Sequence, residues 1–486
     1  MKQDVLIGID AGSTHLKAGI FDLSCNLIEI HHQRVHVYHS TPGCSEFDAE
    51  EIFLDLSIIL KKVMSSGKYN PLAIGISSFG EAVVPIRADG SVLSRMITWY
   101  DMRGQNDILN FAELLGIENL YRKTGQYASG KFTLSKLLWM QRVQPRLLAD
   151  TYKFLFMQDY LAYRLTGNIR TDYSLASRSM LCDIENLSWS SEIAEASSLP
   201  LSLFPEIIAS GESAGAVSAE GSEATNIPEG IPVVFAGHDH ASASVAADIQ
   251  GRQIAVDSLG TSETCVTSGP PGDLKTLFDR NIAFYPYCDF ENRFLSSIQG
   301  CGGAIEWLTN LLFKKDEYAL FFSHANEMTA APEECPVFIP FLKGIQEIPG
   351  LYGMIHGLKD QHHKEHLCYS LLEGLCFEYR RRLEQIEAAT NKHFNSIRAT
   401  GRLSAEPVFM QLKSDVIKRP VEVPAFHEAV CLGAAVLAGK KIGFLSDWKP
   451  TISHTYYPND ENSGKLSDRY DLYLKMVADS RPAIQA

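Results

Sequence analysis

The stretch Val5–Phe21, VLIGIDAGSTHLKAGIF, contains two apolar runs of strand length separated by a short polar turn. Such runs predict buried strands, and a turn this short joins antiparallel neighbours. Asp22–Asn26 has turn composition again, and Leu27–His36 predicts a third strand. A helix is expected at Glu50–Met64 and a further strand at Leu72–Ser77. The chain is therefore predicted to be mixed α/β with an antiparallel start.

A second passage, Gln253–Thr267, repeats the plan with the sequence QIAVDSLGTSETCVT: apolar run, Asp, Gly, two hydroxyl residues, apolar run. Two copies are too few for a repeat array, so they indicate two domains of related design. A chain of 486 residues also exceeds one ordinary core. We place the junction near Asp248–Arg252, which gives domains 1–247 and 248–486 with a cleft at their boundary.

Composition limits the classes of function. The chain is 45% hydrophobic and 21% charged with a net charge of −14, which is typical of a soluble protein and disfavours nucleic-acid partners. No signal-like apolar segment opens the sequence, and the small-apolar stretch Ala429–Gly439 is far too short to span a membrane. The ten cysteines form no CxxC pair. We therefore expect a cytoplasmic protein with reduced cysteines and no membrane partner.

The first turn carries residues that suit a phosphate-metal site. Gly12 permits close backbone approach, and the hydroxyls of Ser13 and Thr14 add donors. Lys17 offers a positive charge, and Asp10 at the end of a strand suits a Mg²⁺ ion that keeps most of its waters.

The second turn, Gly260, Thr261 and Ser262, would bind phosphates in the same way. Either turn alone also reads as an ordinary hairpin, because Asp, Gly, Ser and Thr are common turn residues. Neither GxxxxGK[ST] nor a strand followed by GxGxxG occurs, so a P-loop or Rossmann site is not indicated.

A third stretch, Val233–Ala247 (VVFAGHDHASASVAA), ends an apolar strand in a carboxylate flanked by two histidines. Strand alternation predicts that His238 turns away from Asp239 and only orients the loop, whereas His240 faces a substrate hydroxyl. The small residues that follow predict a helix that packs tightly on the sheet, with its N-terminus favouring ionised Asp239.

Taken in order, these motifs resemble the FGGY family of carbohydrate kinases, within the actin, hexokinase and Hsp70 ATPase-fold superfamily. The resemblance is collinear along essentially the whole chain, and its specificity comes from order and spacing. The matching segments are Ile7–Thr14, Trp99–Arg103, Asp159–Tyr160, Leu165–Gly167, Asp172–Ser177, Gly237–Asp239, Leu259–Ser262, Gly302–Gly303, Glu373–Gly374, Ala399–Gly401, Arg419–Val421, Glu428–Ala429 and Leu432–Ala435.

The resemblance implies two ribonuclease H-like (actin-like ATPase) domains, with mixed sheets flanked by helices and a cleft between them. It implies phosphorylation of a small sugar, ketose or polyol by ATP with Mg²⁺. Asp239 matches the family's catalytic base. With this reaction, Asp10 is expected to assist Mg²⁺. A homodimer is a reasonable default.

The nucleotide segment departs from the family pattern. Gly302, Gly303 and Gly401 fall where the family has glycines near the nucleotide, but Arg402 and Leu403 replace the further glycines that usually follow. Arg402 can stack on a base or reach a phosphate, so the nucleotide preference stays open.

The substrate side is less specific. Glu81 matches a carboxylate with which glycerol kinases bind hydroxyls, while Gly80 replaces their arginine, which argues against glycerol. The methionine-histidine pair typical of xylulose kinases is absent.

Four further residues are candidates for the sugar pocket. Asp101 and Arg103 contact the sugar or form a salt bridge that shapes the pocket. Trp99 stacks on sugar or, as the commoner case, belongs to the core. Lys131 at the pocket rim suits an acidic or keto sugar.

Two other functions remain open from the sequence alone. One is an ATP-binding sugar sensor of the same fold without catalysis. The other is a zinc hydrolase that uses His238 and His240 with ligands from the run His362–His366, although that polar run reads as a solvated loop or helix start.

Overall fold

Three antiparallel strands open the fold, and helices and strands then alternate. The computed structural model describes residues 2–41, 43–270, 272–288, 292–298, 300–314, 317–345, 348, 350–446 and 448–480. The strands are β1 Gln3–Ala11, β2 His15–Phe21, β3 Leu27–Arg34, β4 Glu46–Phe47, β5 Tyr69–Ser78, β6 Val83–Ile86, β7 Met96–Ile97, β8 Lys153–Phe156, β9 Arg170–Asp172, β10 Cys182–Asp183, β11 Ser188–Trp189, β12 Glu206–Ile208, β13 Ser213–Ala216, β14 Pro232–His238, β15 Ile254–Leu259, β16 Glu263–Gly269, β17 Ala283–Pro286, β18 Asn292–Ile298, β19 Val337–Ile339, β20 Met354–His356, β21 Ser396–Thr400, β22 Val421–Pro424 and β23 Ile452–Tyr456.

The helices are α1 Ala49–Ser65, α2 Gln105–Leu115, α3 Ile117–Thr124, α4 Thr133–Val143, α5 Pro145–Asp150, α6 Met157–Thr166, α7 Tyr173–Ser177, α8 Ser191–Ser197, α9 Ala219–Thr225, α10 Asp239–Ala246, α11 Leu274–Asp279, α12 Cys301–Leu312, α13 Tyr318–Glu327, α14 Lys364–Thr390, α15 Pro407–Ile417, α16 Ala429–Lys441 and α17 Asp460–Asp479. Short 3₁₀ helices occupy Leu201–Leu203, Pro332–Glu334 and Arg402–Ala405. The three predicted opening strands, the first helix and the strand that follows it are confirmed. No helix in the described part of the chain has the length and apolar content that a membrane span requires.

The chain forms two compact units. The first comprises Met1–Gln250, Ala283–Arg293 and Glu428–Lys449; the second comprises Gly251–Ile282, Phe294–His427 and Pro450–Ala486. These units are discontinuous in sequence, whereas the predicted domains are separated by one boundary between residues 247 and 248. The difference arises because β17 and α16 pack with the first unit. The domain boundary itself stays a prediction.

The first unit is built on a six-stranded sheet in the order β13-β14-β5-β1-β2-β3. Strands β14, β5 and β1 are parallel, β2 is antiparallel to β1, and β3 is antiparallel to β2. Helix α16 lies so close to this sheet that a Cβ at Gly8 or Gly75 would overlap the backbone of Cys431 or Ala434. Both strand glycines are therefore required by this close approach.

The second unit repeats this plan with the strand order β18-β16-β15-β21-β22-β23. Strands β15 and β16 form an antiparallel hairpin, while β15, β21 and β22 run parallel. The order matches β3-β2-β1-β5-β14 of the first unit, so the predicted relation between the two passages is confirmed. Each unit has the mixed sheet and flanking helices of the predicted ribonuclease H-like class.

Candidate active site

The candidate catalytic residues of the first unit lie at one edge of its sheet. Asp10 on β1 pairs in register with Ser77 on β5, and Ser77 pairs with Gly237 on β14. Because these strands are parallel, the ends of all three bring their following residues to the same edge. This register gathers Asp10, the loop after Ser78, and Asp239.

The turn after β1 is tight. The Gly12 amide donates to the His15 carbonyl at 3.1 Å, and a Cβ at Gly12 would lie 2.9 Å from that oxygen. Ser13 is half-buried and Thr14 is exposed, so both hydroxyl side chains can meet solvent or a ligand. The structure therefore presents the predicted phosphate turn at the surface of the first unit.

Asp10 is a buried carboxylate near the end of β1. Its Oδ1 atom is buried and accepts no hydrogen bond from the described residues. Burial is the main cause that raises the pKa of Asp10 to about 7, and the carboxylates of Asp239 and Glu428 raise it further, against the opposing charge of Lys17. An orphaned oxygen among carboxylates fits the ligand preference of Mg²⁺.

Lys17 has a protein partner. Its amine lies 2.7 Å from Glu428 Oε2, in the residue that precedes α16. Both side chains are about 30% exposed. The positive charge that the sequence assigned to phosphate is thus shared with a carboxylate of the same unit.

Asp239 begins helix α10 directly after β14. Its Oδ1 accepts the His240 amide at 2.6 Å, and about one third of the side chain, 32%, is exposed. The preceding Gly237 has φ 75°, and a Cβ there would overlap Ser174, so this bend requires glycine. The Gly237 amide donates to Gln158 Oε1 at 2.6 Å, which fixes the strand end.

His238 does not turn away from Asp239, and that expectation was wrong. Its Nε2 lies 3.3 Å from Asp239 Oδ1, and its Nδ1 lies 2.9 Å from the Tyr285 hydroxyl. The positive φ of Gly237 breaks the alternation on which the prediction rested. The His240 ring is half-buried, with its centroid 5.4 Å from that of His238.

The small-residue helix after Asp239 is confirmed as α10, but it packs on another helix as well as on the sheet. A Cβ at Gly433 of α16 would overlap the Ser242 carbonyl, and the Ser242 hydroxyl donates to the Val430 carbonyl at 2.9 Å. Small side chains on both helices permit this contact.

Glu81 is held by a residue that sequence analysis missed. Arg178, directly after α7, donates from Nε to Glu81 Oε1 at 2.8 Å and also from Nη2 to the same oxygen. Glu81 is 4% exposed and has φ 69°, an uncommon conformation for a non-glycine residue. No local motif marks Arg178, because 97 residues separate the pair.

Gly80 leaves the space that this arginine occupies. A Cβ at Gly80 would lie 3.1 Å from Arg178 Cγ and 3.1 Å from His238 Cδ2. An arginine therefore accompanies Glu81 from another part of the chain. The sequence argument against glycerol stays a prediction, because Arg178 reaches Glu81 from a different position in the chain.

Two lysines lie near this pair. The Lys131 amine lies 4.8 Å from the centre of the Phe132 ring, and burial together with the charge of Arg178 lowers the pKa of Lys131 to about 8, against Glu81. Lys136 donates to the carbonyls of Gly130 and Lys131. Burial lowers the pKa of Lys136 to about 7.

Asp101 and Arg103 form a salt bridge, which was one of the two expected roles. Arg103 Nη2 donates to Asp101 Oδ2 at 2.7 Å, and its Nη1 donates to Glu46 at 3.1 Å. Trp99 is not a core residue, because it is 38% exposed and packs edge-on against Tyr100. Its exposed face remains available for stacking.

In the second unit, the turn after β15 is exposed at Gly260, Thr261 and Ser262. The amides of Gly302 and Gly303 donate to the Gly260 and Thr261 carbonyls at 3.2 and 3.1 Å. These two glycines thus support the turn, and their amides are occupied by it.

The nucleotide segment of the second unit lies against the same hairpin. Gly401 has φ 93°, and a Cβ there would overlap the Leu259 carbonyl, so glycine is required. Arg402 begins a 3₁₀ helix and is exposed. Its charge lowers the pKa of Glu406, which burial raises overall.

A buried ion triad beneath this second hairpin was also missed. Lys413 on α15 contacts both Asp257 and Glu263, and all three side chains are fully buried. Burial and the neighbouring Glu263 raise the pKa of Asp257 well above its usual value. The apolar spacing of α15 gives no sign that its lysine points inward.

Comparisons with known proteins agree with this geometry. Models of the N-terminal and C-terminal domains of the FGGY family of carbohydrate kinases match residues 5–246 and 257–442. The chain belongs to the FGGY family. This FGGY chain is therefore a carbohydrate kinase, a phosphotransferase with an alcohol group as acceptor.

Relatives and solved structures cover nearly the whole FGGY chain. It is 23% identical over 483 residues to a xylulose kinase of Staphylococcus xylosus, covering 96% of this chain and 98% of that one. Xylulose kinase of Rhodospirillum rubrum superimposes with a TM-score of 0.91 at 21% identity, covering 98% of both chains. Gluconate kinase of Lactobacillus acidophilus gives 0.90 at 20% identity, covering 99% of both.

The zinc-hydrolase alternative gains no support. Within the described ranges, no group of three or more His, Cys, Asp or Glu side chains is placed to hold a metal ion. The run His362–His366 overlaps the start of α14, which agrees with the expectation that this polar run begins a helix.

Proposed function

We propose that this FGGY kinase transfers the terminal phosphoryl group of ATP to a hydroxyl of a small sugar, ketose or polyol, with Asp239 as general base. The observation that carries the proposal is the state of the Asp239 carboxylate. Among the described residues, the polar contacts of this side chain reach only Oδ1, and one third of the side chain is exposed. Oδ2 is thus left to accept a proton.

A carboxylate in this position has a defined task. A sugar hydroxyl is a poor nucleophile at neutral pH, and a positioned base that accepts its proton is worth roughly 10²–10⁴-fold in rate. The N-terminus of α10 adds a partial positive charge at Asp239. Binding and alignment of both substrates supply the rest.

Asp10 is our candidate for assisting Mg²⁺, because its buried Oδ1 has no donor among the described residues and two carboxylates, Asp239 and Glu428, are among its charged neighbours. When bound, the ion would neutralise charge on the transferring phosphoryl group. We assign phosphate contacts to the backbone and hydroxyls of Gly12, Ser13 and Thr14. The corresponding contacts of the second unit are assigned to Gly260, Thr261 and Ser262, and those near adenosine to Gly401 and Arg402.

On the sugar side, we propose that the Glu81–Arg178 pair binds vicinal hydroxyls. The pair offers both acceptors and donors, and charge-assisted hydrogen bonds to hydroxyls are short and strong. Lys131, His240 and the exposed face of Trp99 complete the candidate pocket. Xylulose kinases among the relatives make a ketose the first substrate to try.

A coupled ADP-release assay with MgATP tests the proposal over pentuloses, hexuloses, gluconate, glycerol and other polyols. Asp239→Asn should retain ATP binding and lose at least about 100-fold in turnover. Asp279→Asn, an exposed aspartate at the end of α11, is the matched control and should leave turnover unchanged.

Two results would count against the proposal. Near-normal turnover by Asp239→Asn would remove the base assignment. ATP binding without turnover of any substrate in the panel would favour the sensor alternative.

A further inference from the structure

Tyr285, His238 and Asp239 form a continuous contact chain within the first unit. The Tyr285 hydroxyl lies 2.9 Å from His238 Nδ1, and His238 Nε2 lies 3.3 Å from Asp239 Oδ1. The two rings are perpendicular, with centroids 5.7 Å apart. Tyr285 is fully buried and His238 is 5% exposed, so water does not replace these contacts.

The surroundings select one protonation state of His238. Burial lowers the pKa of His238 well below its usual value; Asp239 opposes this shift, while Arg178, His240 and Lys131 add to it. A neutral imidazole carries one N–H. A proton on Nδ1 would turn the Nε2 lone pair toward the Asp239 carboxylate, which is repulsive, so the proton belongs on Nε2.

Tyr285 completes the arrangement as a donor. Burial raises the pKa of Tyr285, so its hydroxyl keeps its proton. With Nε2 protonated, Nδ1 is an acceptor, and the tyrosyl O–H is the donor that faces it.

We propose that Tyr285 and His238 are positioning residues for the catalytic base: Tyr285 O–H donates to His238 Nδ1, and His238 Nε2–H donates to Asp239 Oδ1. Together with the His240 amide, this holds Oδ1 and leaves Oδ2 for the substrate hydroxyl. At 3.3 Å this contact is longer than a good hydrogen bond, and we expect it to shorten when substrate binds. The inference rests on the proposed role of Asp239.

The position of Tyr285 is fixed by the residue before it, Phe284, whose backbone amide and carbonyl both form hydrogen bonds. The Phe284 amide donates to the Gly125 carbonyl at 3.0 Å, and Gln126 Nε2 donates to the Phe284 carbonyl at 2.9 Å. Gln126 Oε1 in turn accepts from Arg178 at 3.0 Å. Tyr285 lies within the segment that the model of the C-terminal family domain matches, but its chain segment packs in the first unit. The proposed base Asp239 is thus supported by a residue from outside the segment that the N-terminal model matches.

The first experiment measures the tautomer without any substrate. Long-range ¹⁵N–¹H correlation spectra of the full chain with labelled histidine should show His238 as the Nε2–H form, with its signal assigned by its loss in His238→Gln. Tyr285→Phe should yield a mixture of tautomers. A dominant Nδ1–H form in the wild type would overturn the inference.

The second experiment is kinetic and uses the panel substrate with the highest kcat/KM. Tyr285→Phe should lower kcat about tenfold, with the sugar KM changed less than threefold, because an interaction with a charged group is lost while binding contacts remain. His238→Gln, whose amide can still donate toward Asp239, should retain more activity than His238→Leu. Tyr473→Phe removes an equally buried hydroxyl that bonds Glu378 in the second unit, and should leave kcat unchanged.

The outcomes separate this inference from the proposed function. If Asp239→Asn abolishes turnover but Tyr285→Phe keeps kcat within twofold, only the positioning role fails. If Asp239→Asn is active, the base assignment fails, and the tautomer spectrum still tests the contact chain.

Discussion

The two hairpins of this protein share one topology and differ in how they treat buried charge. In the first unit, Asp10 lies beneath the turn with an oxygen that receives no hydrogen bond from the part of the chain that the structure describes. In the second, Asp257 and Glu263 lie beneath the turn and share Lys413. The same backbone plan therefore holds one carboxylate that can still accept a ligand and two carboxylates that are paired with a buried lysine.

The difference shows how a duplicated scaffold separates roles. A buried carboxylate oxygen without a hydrogen-bond donor is costly, and the charge of Lys17 offsets the burial of Asp10 only in part, so Asp10 is suited to a bound ion. The Lys413 amine lies 4.5 Å from the centre of the Tyr379 ring and 4.8 Å from that of Phe409, and this cover keeps the triad away from water. We propose that the carboxylate beneath the first hairpin serves a bound ion, whereas the ion triad beneath the second hairpin stabilises the fold under its turn.

The largest expected effect is on the second hairpin. Lys413→Met leaves two carboxylates buried without a cation and should lower the free energy of unfolding by about 3–5 kcal/mol in urea titrations. Adding Asp257→Asn and Glu263→Gln should recover much of that loss, because the unpaired charges are then gone. A loss under about 1 kcal/mol for Lys413→Met would show that the triad contributes little to the stability of the folded protein.

Asp10→Asn should change the free energy of unfolding in the direction opposite to that of Lys413→Met. It should lower kcat about 100-fold, the scale of losing one electrostatic contact in a transition state, while the ligand-free protein at pH 7 becomes more stable. Reduced stability together with normal kcat would contradict the contrast between the hairpins.

The pH dependence sharpens this prediction. Because the pKa of Asp10 is about 7 in the folded protein and 3.8 for the unfolded reference, the folded state holds a proton between these values that the unfolded state has lost. Asp10 therefore makes stability fall as pH rises from about 4 to about 7, by up to about 1.4 kcal/mol per pH unit. Urea titrations without Mg²⁺ should show that Asp10→Asn removes this component.

The smallest effect concerns the turns themselves. A Cβ at Gly12 would lie 2.9 Å from a backbone carbonyl, whereas one at Gly260 would lie 3.3 Å from its nearest neighbour. Gly12→Ala should therefore raise the KM for MgATP about tenfold, and Gly260→Ala only about twofold, on the scale of overpacking costs. Gly464→Ala, with open space around its Cβ, is the control. Equal effects at both turns would mean that local packing does not distinguish them.

Sequence reasoning succeeded where the signal was local. The alternation of apolar runs and turn residues predicted β1, β2 and β3, and the motif around Gly237–Asp239 predicted a strand end followed by a small-residue helix. It failed for His238, because alternation assumes a regular strand and Gly237 has φ 75°. Trp99 was expected in the core because large aromatics usually bury, yet its loop leaves it 38% exposed.

The partners of the site residues were out of reach for a different reason. Arg178 meets Glu81 across 97 positions, and Tyr285 meets His238 across 47. Single-chain patterns report periodicity and turn chemistry but not which distant side chains meet. Gly80 is an example. From the sequence it looks like the loss of an arginine, and only the structure shows that the Arg178 side chain lies in the space beside it.

By itself the sequence determined the α/β class and the paired hairpins, because these follow from short-range order and residue chemistry. Its motifs also indicated the kinase family by resemblance, while the roles of Asp10 and Asp239 stay predictions. Only the tertiary structure decided which charges are balanced: Glu81 by Arg178, Asp257 and Glu263 by Lys413, and Asp10 by none of the described donors. Charge balance in a buried site depends on distances of a few ångströms between elements far apart in the chain, and the fold alone sets those distances.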